Sequence, residues 1–401
     1  SSMARFIPYI LPALLIFSRS IADFTVLIIG ILFLIRSYKY SEWLWAKESW
    51  FKYSLIFWTY LLLVNSPLSS NIMESFLYSL AFIRWPIFAA ALAFWILIDL
   101  DSQKKFLFSM LFFLIFIAFD TWWQYFFRQD IFGFTPLNAE RLTGPFRNNN
   151  AVPGIFMGRL MCILFYIILL FPRLKSPKAS ISFTFFTSFV MMVSIYITGE
   201  RMGLILGIVG SVLAYLGLYL KFFSGNKKFF LLSSFALLCL LALFLLSFPQ
   251  TFDRQINGAI SKISDIYNSD YGIVFQSAYK VWMQSPLFGV GFHQYANECV
   301  DMGLKPTSGG GCMHPHNITF HLLAEMGVLG LILYYSMILS IGFSALKSHY
   351  QNKRLLYFLL GFSLLFVSFF PLIVGVSLFN NSIAPTLWLF VGWTLVQKRA
   401  A

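Results

Sequence analysis

Charged side chains are scarce in this 401-residue chain: 11% of residues are Asp, Glu, Lys or Arg, against 59% hydrophobic and 19% aromatic. A soluble globule of this size needs more polar surface than that, so the shortage excludes a water-soluble fold. Acidic residues number 16 against 29 basic ones, and there are only five histidines and four cysteines. No hydrophilic n-region with a cleavage site precedes the first apolar run, so we expect no removed signal peptide; Ser1-Ser2 ahead of Met3 reads as an appended start.

Apolar sequence fills the space that charge leaves. Runs bounded by charged or turn residues fall near 4–18, 21–36, 52–66, 75–98, 105–121, 151–171, 180–198, 203–220, 228–247, 317–345, 355–378 and 383–397. Most approach the roughly 20 residues a membrane-spanning helix needs. The expected fold is an all-α polytopic membrane protein of about 12 transmembrane helices, with a helical outer subdomain between spans nine and ten. Residues 1–247 then hold spans one to nine and an outer loop at 122–150; 248–316 form the outer subdomain; 317–401 hold the last three spans.

Basic residues orient the bundle, because Lys and Arg are retained on the cytoplasmic side. With both termini inside, the inner loops collect 18 basic residues against four acidic ones, in Arg5, 36–52, Lys104-Lys105, 173–178, Lys221/Lys227/Lys228, Lys347/Lys353/Arg354 and Lys398-Arg399. The basic balance therefore reports topology and contact with anionic membrane lipids, and nucleic acid is not an expected partner.

Two outer loops are too long to be plain connections. Residues 122–150 open on an aromatic cluster and continue into a turn rich in Gly, Pro, Asn and Arg. Residues 248–316 read as helices at 253–268 and 271–284, with Ile273, Val274, Ala278, Val281 and Trp282 on one apolar face, followed by the turn PLFGVG at 286–291. Cys162 and Cys239 lie in apolar runs and read as packing residues. Cys299 and Cys312 share the outer loop, where a disulfide or two free thiols are both open.

Three of the five histidines fall in Gly309–Gly330. Pro315 keeps His314 out of a helix, and Asn317 is a natural N-cap for the helix that follows. His316 then stands at a helix mouth, where an imidazole could take a proton from a hydroxyl near neutral pH. Glu325 lies about 12 Å along that helix, on nearly the same face as His321 and Asn317, and a carboxylate at that depth calls for a histidine or arginine partner. Read as a metal site, Cys312, His314, His316, His321 and Glu325 match no recurring zinc spacing, so neither metal nor cofactor is expected. Gly327 and Gly330 read as places where a neighbouring helix comes close.

Arginines outside are notable because topology selects against them. Arg201 sits in the short outer turn ITGERMG, where a planar fork suits phosphate. Arg141 and Arg147 bracket RLTGPFR, a loop able to fold over a site, although solvated loop charges would read the same way. Arg84 lies about 13 Å down span four and needs a partner that the sequence does not name.

These residues carry a resemblance. His316-Asn317, nine residues, Gly327, two residues, Gly330 resembles the H-N-x9-G-x-x-G signature of the bacterial O-antigen ligase and O-antigen polymerase superfamily. SPLFGVG at 285–291, the loop ending CMHPHN, the GER turn at 199–201 and RLTGPFR at 141–147 are similar to further marks of that family. The resemblance implies a metal-independent, inverting glycosyltransferase of the integral-membrane C type, with its outer loops in the periplasm and its membrane the bacterial inner membrane. Such an enzyme takes a glycan from undecaprenyl pyrophosphate and passes it to a lipid A-core sugar in a ligase, or to another carrier-linked repeat in a polymerase. Ligase is the reading expected here and polymerase the alternative. The family's essential histidine and turn arginine map to His316 and Arg201, and Arg147, Arg141, His314, Asn317, Glu325, Lys280 and Arg84 are candidates for holding substrate. One departure matters: where many members carry a second arginine, this chain reads Asp270-Tyr271-Gly272, so Arg147, Arg141 or Lys280 would have to replace it. A twelve-span transporter is the competing class, but no internal repeat is visible.

Overall fold

The computed structural model describes residues 7–16, 18–137, 141–146, 153–171, 176–223, 227–304, 312–370, 377–381 and 383–397. The regular elements among these residues are all helices. The first nine apolar runs give α1 (Ile7–Ile16), α2 (Arg19–Tyr40), α3 (Ser49–Tyr60), α4 (Ile72–Phe82) with α5 (Arg84–Ala91), α6 (Leu100–Phe127), α7 (Pro153–Leu164) with α8 (Ile167–Leu170), α9 (Pro177–Ile197), α10 (Arg201–Leu218) and α11 (Lys227–Leu246). The outer segment holds four short helices, α12 (Pro249–Phe252), α13 (Gly258–Ser264), α14 (Asp270–Trp282) and α15 (Tyr295–Asp301). The last three runs give α16 (Ile318–Gln351), α17 (Leu355–Phe369) and α18 (Ala384–Gln397).

Every one of the twelve runs thus contains a helix, and among the described residues seven helical stretches are long and apolar enough to cross a membrane. Several begin at the polar residue that the sequence supplies: Asn71, Asp99, Ser176 and Asn317 each accept a backbone N–H from three residues on, satisfying a donor that the helix start would leave bare. Helix α7 is buried along its whole length, at the centre of the bundle. Phe24, Phe112 and Leu238 stand exposed on α2, α6 and α11, as a lipid-facing surface requires.

Polar contacts gather at the two ends. At one end Asn65 donates to the Phe288 and Glu325 carbonyls (2.8 and 2.9 Å) and accepts the Phe292 N–H (2.7 Å), so the turn after α3 grips the outer segment and α16 together. At the other, Gln397 donates to Gln103, which donates to the Leu97 carbonyl, both at 3.0 Å. The residues gathered at each end are those read from the sequence as outer and inner.

The outer helices depart in detail from the expected ones. The stretch expected as a helix over 253–268 is helical from Asp253 to Ser264, a π-helical turn at Asp253–Asn257 running into α13. Gly258 stands at that junction because a β-carbon there would come within 2.7 Å of the Arg201 guanidinium. The expected 271–284 helix is α14, whereas α15 was not foreseen.

Candidate functional site

Helix α16 is broken at Gly327 (φ 66°, ψ −172°), and a β-carbon at that residue would sit 2.3 Å from the Leu287 carbonyl oxygen. Only glycine accepts both conditions. The break strands backbone groups on either side, and the PLFGVG turn takes them up. Val290 and Gly291 donate to the carbonyls of Ala324 and Glu325 at 2.9 and 3.0 Å, while Val328 and Leu329 donate to those of Pro286 and Leu287 at 3.0 and 3.2 Å. Tyr60 Oη adds a 2.6 Å bond to the Met326 carbonyl. Gly330 faces the Tyr60 ring, a helix neighbour as expected, but what approaches Gly327 is this turn.

The outer piece of α16 is thereby held firmly, and its mouth carries the histidines. Asn317 caps the helix, accepting the Phe320 N–H at 3.1 Å. His316 lies just outside with φ 50°, a left-handed conformation that costs a residue with a β-carbon about 1 kcal/mol. Its N–H donates to His314 Nδ1 at 3.2 Å, and the two rings lie 4.1 Å apart, edge to face. An Nδ1 that accepts a hydrogen bond carries no proton. Burial, helped by His316 and His321, pulls His314 down to about 3, and burial together with Arg141 lowers His316. Both imidazoles are neutral near pH 7, the state in which His316 can accept a proton.

Behind them the loop is closed covalently. Cys299 and Cys312 form a disulfide with a Cα–Cα distance of 5.5 Å, packed against Ala278, Val281 and Tyr295. Glu325 has the partner that its depth calls for: His321 Nε2 lies 3.1 Å from its Oε1, which also accepts the Tyr295 N–H at 3.3 Å. The Tyr295 bond ties α16 to α15.

Arg201 begins α10, and its Nε and Nη2 donate to the Arg254 carbonyl at 3.2 and 2.6 Å. Arg254 in turn reaches the Gly199 carbonyl at 3.4 Å. Arg141 takes Glu200 by Nε and Nη2 (3.2 and 2.5 Å), so this loop arginine closes onto the GER turn. Burial pushes the Glu200 carboxyl up, opposed by Arg141, Arg254 and Arg201. Three guanidinium groups thus act on one carboxylate, which Arg141 alone contacts. Tyr271, at the start of α14, bridges towards the histidines: its ring centroid is 6.2 Å from that of His316, and it also acts electrostatically on Arg201.

His316, His314, Asn317, Arg201 and Arg141 therefore share one end of the molecule, with Glu325 just behind. Arg147 lies outside the described residues. Lys280 is exposed on α14, nine residues and so about 180° round the helix from Tyr271, and is not brought to the cluster. Arg84 pairs elsewhere: its Nε lies 2.9 Å from Asp23 Oδ1, Nη2 donates to Asn381 Oδ1 and Nη1 to the Ala81 carbonyl, both at 2.9 Å, and the group stacks over Trp85. Sequence reasoning missed Arg254, whose place beside Arg201 rests on a fold contact across 53 positions. It also passed over Arg159, buried within α7 and donating to the Val367 carbonyl at 3.4 Å; a charged residue inside run six was the signal available.

Below the arginines an apolar cavity of about 670 Å³ runs between α9, α10 and α11, lined by Met192, Tyr196, Ile208, Tyr215, Leu241 and Leu245 among others. Tyr196 marks its upper end, donating to the Leu245 carbonyl at 3.0 Å and accepting through its own carbonyl from Gln255, the neighbour of Arg254.

No curated protein matches the chain at a significant level. Residues 186–335 match the family model described as O-Antigen ligase, a segment running from α9 past the break in α16 and holding the GER turn, the PLFGVG turn and the histidine loop. That match supports a place for the chain in the O-antigen ligase superfamily.

Proposed function

We propose that this protein is an O-antigen ligase that moves a glycan from undecaprenyl pyrophosphate to a lipid A-core sugar hydroxyl on the periplasmic face of the bacterial inner membrane. The observation that carries the reading is the gathering of Arg141, Arg201 and Arg254 at the GER turn, with Tyr271 between them and the neutral His316. Transfer from such a donor needs two things: stabilisation of the departing pyrophosphate and removal of a proton from the acceptor. Arg201 uses Nε and Nη2 on the Arg254 carbonyl, which fixes its plane and leaves the Nη1 side for a phosphate oxygen. Arg254 and Arg141 supply the charge that the missing second arginine would give. His316 takes the acceptor proton or positions that hydroxyl, and direct displacement inverts the anomeric carbon. The cavity between α9, α10 and α11 ends beside this cluster, where a polyprenyl tail would lie with its pyrophosphate at the arginines.

A polymerase would use the same donor site and differ only in its acceptor. Incubation of the purified protein with carrier-linked glycan, with and without lipid A-core, separates the two. Product that depends on lipid A-core is the expected result; chains lengthening on the carrier without it mean a polymerase. The His316→Ala protein should lose roughly 10²–10⁴-fold in transfer rate, and normal transfer by that variant would remove His316 from the mechanism.

A further inference from the structure

The apolar stripe of α14 that packs on α16 continues past its cover. Tyr271, Phe275, Ala278 and Trp282 recur along it at helical spacing. Ala278 and Val281, in its second half, are fully buried in a cluster with Tyr295 and Ala324. Tyr271 and Phe275, in its first half, are partly exposed, and so is Phe320 in the first turn of α16. The Phe320 ring centroid lies 5.3 Å from that of Phe275 with the planes 21° apart, and Phe275 lies 6.4 Å from Tyr271 with the planes 29° apart. The three rings form one continuous aromatic surface. It ends on His316, whose imidazole stands nearly perpendicular to the Tyr271 ring, with centroids 6.2 Å apart.

The start of α14 is held firmly. Ser269 caps it by accepting the Gly272 N–H at 3.2 Å, and Gln276 Nε2 donates to the Tyr267 carbonyl at 2.9 Å. A β-carbon at Gly272 would collide with the Ile266 carbonyl, so the preceding turn packs directly against the helix. Rings carried on a capped, closely packed helix are in place before any ligand arrives. On the reading given above, the departing phosphate lies at Arg201 and the acceptor hydroxyl at His316. Direct displacement sets the incoming and leaving oxygens on opposite sides of the attacked carbon, so the sugar ring that bears this carbon lies between those two residues. Tyr271 neighbours both of them. A sugar ring is amphipathic: its hydroxyls point outward, whereas its axial C–H groups form an apolar face that suits the negative face of an aromatic ring.

We propose that Tyr271, Phe275 and Phe320 form the subsite for the first sugar of the donor, the one bonded to the pyrophosphate. The inference rests on the transfer reading and adds a selection step to it. A carrier loaded with glycan and the bare carrier that transfer leaves behind share the same lipid and the same phosphates. Contacts to Arg201 and to the apolar cavity therefore hold both alike. Only the loaded carrier covers the rings, so the aromatic surface is what favours fresh donor over spent carrier at the site.

Binding tests this without any turnover. Purified full-length protein in detergent is titrated with undecaprenyl pyrophosphate bearing a short glycan, and separately with bare undecaprenyl pyrophosphate, by microscale thermophoresis. The wild type should bind the loaded carrier about tenfold more tightly. Tyr271→Leu and Phe275→Leu should each lower that preference by about threefold or more and leave the affinity for bare carrier within about twofold. Tyr271→Phe keeps the ring and should keep the preference. Thermal midpoints without ligand report folding, and should Tyr271→Leu fail to fold, Phe275→Leu decides alone. Equal affinity of the wild type for the two carriers overturns the subsite and leaves the transfer reading standing, as does a preference that survives the leucine variants. Binding of neither carrier removes the transfer reading, and the subsite with it.

Discussion

Arg84, partway down a span, and Arg201, at the start of α10, are both guanidinium groups within the helical bundle, and the fold treats them in opposite ways. Arg84 spends its charge on Asp23 and its remaining donors on Asn381 and the Ala81 carbonyl. Arg201 donates to the carbonyl of another arginine, and the adjacent carboxylate, Glu200, is taken by Arg141. A neutral carbonyl orients a guanidinium without cancelling its charge. The first region is therefore an internal tie, whereas the second keeps the charge that the proposed function assigns to a phosphate.

Substitutions can break that contrast. Arg201→Ala should lower transfer by about 10²–10³-fold, the usual loss when one donor to developing charge is removed, with an unchanged thermal midpoint. Loss of the fold instead would make Arg201 a second tie. Gly327→Ala should be next: a side chain at φ 66° against the Leu287 carbonyl expels the PLFGVG turn, so the midpoint in detergent and turnover should fall together, by about 2–3 kcal/mol in stability. Arg84→Met should cost about 1–3 kcal/mol by stranding Asp23, yet leave turnover per folded molecule within about twofold. A large loss of turnover without unfolding would return Arg84 to the substrate-binding candidates.

The smallest effect concerns acid. Burial and Arg141 lower His316, so its basic form persists below the ordinary range and is lost only as pH falls through that depressed value. An ordinary histidine base would lose about fourfold in rate between pH 8 and 6. We expect a shallower decline in kcat/KM over that interval, and a fourfold fall would place His316 in a more open setting. His314, pulled down to about 3, adds a stability effect of the same sign. Its neutral form is favoured by folding, so stability is complete above pH 6.5 and declines between there and about 3, less steeply in His314→Gln.

Local chemistry made part of this legible from sequence. Asn317 caps α16 because its side-chain oxygen reaches the N–H three residues on, and Glu325 finds His321 because residues four apart share a helix face. The PLFGVG turn and Gly327 were both visible as motifs, but not that each completes the other, since their pairing spans two elements. Arg254 was hidden for the same reason: in the sequence it is one charge in a polar loop, and only the turn at Asp253–Asn257 swings it over the GER turn. Arg84 lacked a partner on paper because Asp23 lies two spans away.

The break in α16 also has a consequence for the order of assembly. Tyr60 and Asn65 belong to the third apolar run, yet they bond the carbonyls of Met326 and Glu325, 266 and 260 positions later. Those bonds, and the four from the PLFGVG turn, cannot form until nearly the whole chain has left the ribosome. Contacts so distant in sequence are slow to find one another. The bundle is therefore inserted before its reactive end exists, and a half-made chain in the membrane carries no finished site.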